Sequence, residues 1–336
     1  MLLQILIPHY HETVDVIKPL LDSIALQQQV DFSEIGVIIC HDGDDIPDFI
    51  LPDYPFDIKQ IHIPHAGVSA ARNAALDHAV ADYVMFSDCD DMFYNMCGLW
   101  ILFNEMRNGF DSLVSCFIEE TRCPADVPAN PQTGQPEMKR GDPMYINHNM
   151  DSTFVHGKVH KRQYLIDKNI RFNNNLTIHE DSYFNILAQN LSDNVKYCPT
   201  PFYLWKWRDT SVCRHDPKYI LKTYSNMIDS NDALVDEFLR RGRQDKAAFY
   251  TAFLIFDSYY TMNKPEWIDQ DNLEYRNMTE SRFAEYYLKH KDLWNSIPAP
   301  DKMQISNGVR TRVVGEGMLM EAITIEDWLN RMEVNK

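Results

Sequence analysis

The sequence predicts an α/β protein with a mostly parallel central sheet flanked by helices, followed by a helical C-terminal region. Three observations predict it. Over about the first hundred residues, short apolar runs of strand length alternate with segments of helical periodicity, the pattern of successive β–α–β crossovers. Polar clusters close three of those runs: His9-Tyr10-His11-Glu12, His41-Asp42-Gly43-Asp44-Asp45 and Asp88-Cys89-Asp90-Asp91. In sheets of this kind, ligands sit beyond the carboxyl ends of the strands. From about Pro217 the texture changes to long amphipathic segments rich in Tyr, Leu and Phe.

The elements follow in order. Residues 2–7 form an apolar run stopped by Pro8, a first buried strand. Val14, Ile17, Leu20, Leu21 and Ile24 recur at helical spacing between Val14 and Gln28. Ile35 to Cys40 is a second buried strand, and the alternation from Ile58 to Ile63 is a third. Gly67 to Ala81 is alanine-rich and helical, and Tyr83 to Phe86 is the fourth strand. Pro124 to Pro143, rich in Pro, Gly and polar residues, reads as a loop. Order returns over Ser152 to Lys161. A helix is expected from Glu180 through Leu191, with Phe184, Leu187, Ala188 and Leu191 on one face. Tyr219 to Leu239 and Arg282 to Trp294 carry the periodic pattern of the C-terminal region. The expected division is a first domain over 1–215, changing character at about residue 100, and a mainly helical region over 216–336.

Composition narrows the function. The 336 residues are 45% apolar and 24% charged, as in ordinary globular proteins, which excludes collagen-like, coiled-coil and disordered classes. Lys and Arg number 32 against 49 Asp and Glu, for a net charge of −17. That field repels phosphate backbones and anionic lipid, so nucleic acid would need a local basic patch. No stretch reaches the roughly 18 consecutive apolar residues of a membrane span; Ala247 to Phe256 is interrupted by Tyr250 and Thr251. Met1 to Pro8 lacks a basic flank and a small-residue cleavage site. Seven cysteines without a Cys-x-x-Cys pair suggest free thiols, and a cytoplasmic location is expected.

Asp88 and Asp90, one residue apart after a buried strand, are costly to hold together unless a cation lies between them; the alternative is a solvated acidic turn. Asp42 follows a neighbouring strand, where its carboxylate could accept the N3–H of a uracil ring. Arg72 belongs to a helix starting near the same edge and could reach a base carbonyl or a diphosphate, or simply lie on the surface.

These residues bring the sequence close to a known family. Ile7-Pro8-x-Tyr10-x-Glu12, Asp42-Gly43, Gly67-x-Ser69-x-Ala71-Arg72-Asn73 and Phe86-Ser87-Asp88-Cys89-Asp90-Asp91 resemble, in the same order, the motifs of the family 2 glycosyltransferases of bacterial or phage type, with their GT-A (Rossmann-like) fold. Gly157 to Arg162, Ile170-Arg171-Phe172 and His179 to Phe184 resemble the acceptor half of the bacterial members, and Tyr203-x-Trp205-x-Trp207-Arg208 with Ser211 is a further echo. The resemblance covers roughly residues 3–215 and implies that 1–215 is a catalytic domain with a nucleotide-sugar half (about 1–100) and an acceptor half (about 101–215). It implies an inverting, hexosyltransferase-type enzyme using a UDP-sugar donor. Pro8, Tyr10, Glu12, Asp42 and Arg72 would frame the nucleoside. Asp88 and Asp90 would hold Mn²⁺ or Mg²⁺ and the diphosphate. Asp181 matches the family's general base, with Glu180 beside it as the alternative. His215 is either a further metal ligand or a surface histidine in a turn. His156 and His179 would flank the acceptor cleft, and Trp205 and Trp207 either stack on a sugar or pack in the core.

Two departures matter. His41 stands where an acidic residue is more usual, and the Gln-x-x-Arg-Trp signature of processive polysaccharide synthases is absent. A single-addition enzyme acting on a glycan or cell-surface polymer is therefore expected. The C-terminal region would serve acceptor placement or assembly into a homo-oligomer. The alternatives are a phage-type enzyme glycosylating a modified DNA base, with Lys158, Lys161 and Arg162 as its basic groove, and a catalytically silent nucleotide-sugar-binding protein.

Overall fold

The computed structural model describes residues 1–120, 145–147, 153–206, 216, 218–313 and 323–334. The loop expected over Pro124 to Pro143 lies outside them, as do Trp207, Arg208, Ser211 and His215. The chain divides into two compact units, Met1–Ser211 and Val212–Lys336.

In the first unit the strands are β1 (Leu3–His9), β2 (Ile35–Asp42), β3 (Asp57–Ile63), β4 (Tyr83–Phe86), β5 (Met92–Phe93), β6 (Ser112–Ser115), β7 (Phe117–Glu119), β8 (Tyr145–Asn147), β9 (Lys158–Lys161), β10 (Val195–Cys198) and β11 (Tyr203–Trp205). The helices between them are α1 (Val14–Ala25), α2 (Val68–His78), α3 (Gly98–Asn108), α4 (Arg162–Asp167) and α5 (Glu180–Asn190). The main sheet has the order β10-β6-β9-β4-β1-β2-β3. β1 runs parallel to β2 and β4, β2 parallel to β3, and β6 parallel to β10, while β9 runs antiparallel between β4 and β6. Leu3, Ile5, Leu6 and Ile7 of β1 are fully buried, which is what a central parallel strand covered on both faces requires. The in-phase register sets His9 beside His41, so the polar clusters after β1 and β2 emerge at one edge.

Local chemistry tunes the ends of these elements. Gly67 precedes α2 with φ of +90°, a conformation side chains other than hydrogen rarely adopt. α2 stops at His78, short of the expected Ala81, because the buried Gln4 side-chain oxygen takes the amides of Val80 (2.6 Å) and Ala81 (2.9 Å) and turns the chain into β4. A second, four-stranded sheet with the order β5-β11-β7-β8 lies in the same unit.

The second unit is helical among its described residues: α6 (Tyr219–Arg240), α7 (Gln244–Met262), α8 (Pro265–Ile268), α9 (Leu273–Ser296), α10 (Ala299–Val313) and α11 (Ile325–Val334). Its core is aromatic, with Tyr224, Trp267, Phe283, Tyr286, Trp294 and Trp328 buried together. No helix among the described residues is long and apolar enough to cross a membrane.

Candidate active site

At the carboxyl edge of β1, β2 and β4 lies a cavity of about 380 Å³. Pro8 near the end of β1 lines it with Tyr10 and Glu12 just beyond, Asp42 at the end of β2, Gly67 and Arg72 from the start of α2, and Asp88 and Asp90 after β4. The residues singled out from these motifs thus meet on one surface, although they are spread over more than eighty positions of sequence.

Each wall has its own support. Tyr10 is half exposed and stacks on the His65 ring at 4.5 Å, while its backbone N–H donates to the Glu12 carboxylate at 2.9 Å. The buried Asp42 carboxylate accepts from the amides of Ala66 (2.7 Å) and Gly67 (2.9 Å), and His65 Nδ1 lies 2.9 Å from its Oδ2. Asp42 therefore holds the turn that carries His65 and opens α2.

Arg72 forms the floor. Its Nη2 donates to Asp88 Oδ1 and its Nη1 to Glu180 Oε1, both at 2.8 Å, and its guanidinium lies over the Phe172 ring at 5.2 Å. The side chain is only 5% exposed. A buried cation needs such partners, and removing one leaves an uncompensated charge. Burial works against the charged guanidinium, but Asp88, Glu180 and Asp181 more than offset it and raise its pKa. Burial likewise works against the Asp88 carboxylate, yet Arg72 and then His156 hold it below its ordinary range.

Asp181 behaves oppositely. Burial, then the adjacent Glu180 carboxylate, push its pKa up to about 7, against the pull of Arg72 and of the Ser182 amide that donates to it at 2.8 Å. It sits in the first turn of α5, whose preceding residue His179 has a left-handed backbone with φ of 64°. Non-glycine residues held in that region cost of order 1–3 kcal/mol and cluster at functional sites. Glu180 has committed one oxygen to Arg72, so the two neighbouring carboxylates differ in engagement.

Residues 4–157 match the family model described as glycosyl transferase family 2. The match covers just under half of the chain and lies within its first unit. A relative among the glycosyltransferases is the uncharacterized glycosyltransferase EpsJ of Bacillus subtilis (strain 168), 25% identical over 264 residues, which are 75% of this chain and 70% of EpsJ. The succinoglycan biosynthesis protein ExoM of Rhizobium meliloti (strain 1021) is 38% identical over 52 residues, 16% of each protein. Among solved structures, S. aureus TarS 1-349 is similar with a TM-score of 0.59 and 14% identity, covering 96% of this chain and all of that one. Against a longer TarS structure the chain spans about half the length, 53%, at a TM-score of 0.58 and 14% identity. At that identity the likeness shows the fold, and it is the mostly parallel α/β fold of GT-A glycosyltransferases.

The carboxylates beyond β4 form a graded set. Asp91 is fully buried and accepts from the Tyr203 hydroxyl (2.6 Å) and the Lys206 amide (2.9 Å), with His156 Nδ1 at 3.6 Å. Burial, then the charges of Asp88 and Asp90, push its pKa well up. Asp88, Asp91 and His156 offer donor atoms within 4.8 Å of one another, hard oxygens plus one imidazole that could hold a divalent ion, but of the three only Asp88 lines the cavity, where Asp90 is its neighbour. Trp205 packs against His156 at 5.1 Å and Phe154 at 5.3 Å, so it buttresses that group from within the protein. His65 is a site neighbour outside every motif quoted above, and Tyr203, quoted there only as part of an echo, touches Asp91 through its hydroxyl. His65 stands two residues before the Gly67 motif, and Tyr203 was overshadowed by the tryptophans that follow it.

Proposed function

We propose that this glycosyltransferase moves a sugar from a UDP-sugar to a hydroxyl of a glycan or polymer acceptor, with inversion at the anomeric carbon. The observation that carries the proposal is the ion-paired chain Asp88–Arg72–Glu180, which links the cavity wall to the helix turn bearing Asp181. A donor in the cavity would thereby lie next to a carboxyl group that titrates near neutrality. TarS 1-349, whose fold is similar, has been solved in complex with UDP and with UDP-GlcNAc, which supports a uridine donor here. The name of ExoM, a succinoglycan biosynthesis protein, supports a polymer acceptor.

Breaking the anomeric C–O bond builds positive charge on the sugar ring and negative charge on the departing diphosphate. Tyr10, Glu12 and Asp42 bind and orient the nucleoside end, and Pro8 closes the first strand against it. Asp88 and Asp90 would hold Mn²⁺ or Mg²⁺, with His215 as a further ligand; the ion, when bound, stabilises the charge of the leaving diphosphate. Arg72 keeps Asp88 ionised and turned toward the cavity. On the opposite side Asp181 takes the proton of the attacking hydroxyl, a task suited to a carboxyl group whose pKa lies near the working pH. Glu180, held by Arg72, keeps that pKa raised and is the lesser candidate for the base. Residues 1–215 form the catalytic domain in this reading, and 216–336 place the acceptor or join copies of the chain.

Calorimetry of UDP with Mn²⁺ and with a chelator tests the donor site. At least a tenfold loss of affinity on chelation, about 1.4 kcal/mol, is expected. Equal affinities would count against a diphosphate held through the Asp88–Asp90 ion.

A further inference from the structure

At the ends of β1 and β2, two buried histidines make three contacts that together specify a charge. His9 Nε2 lies 2.7 Å from the backbone carbonyl oxygen of Glu12, an acceptor only, so that nitrogen carries a proton. His41 Nε2 lies 2.9 Å from Gln60 Oε1. The orientation of that amide is settled by Phe49, whose N–H donates to Gln60 Oε1 at 2.8 Å and whose carbonyl accepts from Gln60 Nε2 at 3.0 Å. Gln60 Oε1 is thus an acceptor too, and His41 Nε2 also carries a proton. Between them, His9 Nδ1 and His41 Nδ1 face each other at 2.8 Å. With no proton there, two lone pairs would collide; with one, the contact is a short hydrogen bond. Two imidazoles holding three protons carry one positive charge.

We propose that His9 and His41 form a proton-sharing, singly charged pair that positions the loop over residues 10–12 for the donor nucleotide. The proposal rests on the reading of the cavity as a nucleotide site. His9 reaches from the pair to the Glu12 carbonyl and closes the loop, while the Glu12 carboxylate holds the Tyr10 amide. Tyr10, Glu12 and His9 all line the cavity. The far end of the chain is anchored on β3 through Gln60. Losing the shared proton sets the two Nδ1 lone pairs against each other, drives the rings apart and releases the Glu12 anchor.

The groups facing the pair are few. Glu12 Oε2 lies 3.8 Å from His9 Nε2, and Asp48 Oδ1 lies 3.9 Å from His41 Nε2. The His62 ring from β3 stacks on His41 at 4.6 Å and is itself bonded to Asp48 at 2.7 Å, and Phe49 packs edge-on against both histidines. Asp42, next in β2, is turned to Ala66 and Gly67. Burial, together with His9 and His62, presses the His41 imidazole below its ordinary value, against the opposing pull of Gln60 and Asp48. Burial thus favours loss of the shared proton as pH rises, and donor affinity falls with it. A second proton on the pair is repelled by the first.

The test is nitrogen-15 imidazole spectroscopy of the full chain, joined to UDP calorimetry between about pH 5.5 and about pH 8.5. The expected result is protonated Nε2 on both histidines and a single proton released per pair. The backbone amides of Tyr10 and Glu12 should move with the same midpoint. UDP affinity above that midpoint should fall by up to about tenfold per pH unit, the slope of one linked proton. His41→Asn places an uncharged N–H near the Nδ1 position, so its affinity should lose this slope and keep only the one that UDP's own phosphate ionisation near pH ~6 imposes. His9→Asn removes the Glu12 anchor and should weaken UDP at every pH. Two independently titrating histidines, amides indifferent to the midpoint, or an unchanged slope in His41→Asn would each overturn the proposal. Failure of UDP to bind at any pH would defeat the nucleotide reading, while the imidazole and amide titrations would still decide the pair.

Discussion

The two units treat buried charge in opposite ways. In the helical unit the carboxylates are matched to nearby donors. Against the cost of burial, His290 and Lys289 hold Asp232 below the ordinary carboxylate range, and Arg240 with Arg241 does the same for Glu237. Asp257 accepts from the Tyr224 hydroxyl at 2.5 Å and pairs with Arg312. At the strand-end edge of the first unit, one buried arginine faces Asp88, Glu180 and Asp181, and burial, joined by the surplus of negative charge, raises the pKa values of Asp181 and Asp91. Charges that satisfy one another locally stabilise a fold. Charges that compete around a cavity are poised for a ligand or a proton, and perturbed groups of this kind mark functional sites.

The contrast can be broken by substitution. Arg72→Ala removes the buried partner of two carboxylates and should cost about 3–5 kcal/mol in denaturant unfolding. A loss under about 1 kcal/mol would mean that water or another cation already shares that role. The charge-removing pair Asp181→Asn and Asp232→Asn is sharper. The raised pKa of Asp181 means that its contribution to stability is present at low pH and is lost as pH rises through about 7. The depressed pKa of Asp232 contributes stability above the ordinary carboxylate range, lost as pH falls through its folded value. At pH ~8, then, Asp181→Asn should stabilise the protein by about 0.5–2 kcal/mol, the usual yield of relieving a strained functional site, while Asp232→Asn should destabilise it. Thermal unfolding of both variants at that pH and at pH ~5 reads the signs. The smallest effect is expected for Lys289→Ala, whose side chain is 43% exposed and which should change stability by less than about 1 kcal/mol.

Much of the fold was legible because its signals are local. Buried strands such as Ile35 to Cys40, and helices such as Tyr219 to Leu239, announce themselves through hydrophobic runs and periodicity. Strands two or three residues long have no such period, so the second sheet of β5, β11, β7 and β8 left no trace in the sequence. The division between units at Ser211 falls in a stretch where texture changes gradually. At the site, Tyr10, Glu12, Asp42, Arg72, Asp88 and Asp90 stood out because polar clusters following buried strands are rare. What stayed hidden was pairing at a distance. Arg72 and Glu180 are 108 positions apart, and His9 meets His41 only through the β1–β2 register. Nothing in either local sequence names the partner.

The central claim is that Asp181 accepts the proton of the attacking hydroxyl while the donor is held elsewhere. Turnover and UDP-sugar affinity measured together on Asp181→Asn test it most directly, with Glu180→Gln as the neighbouring control. Turnover should fall by roughly 10² to 10⁴, the usual worth of general base catalysis, with donor affinity little changed. The wild-type rate should rise with pH through about 7 as the carboxylate forms, and the residual rate of the variant should lack that rise. Near-normal turnover in Asp181→Asn with collapse in Glu180→Gln, or loss of donor binding in Asp181→Asn, would contradict the account.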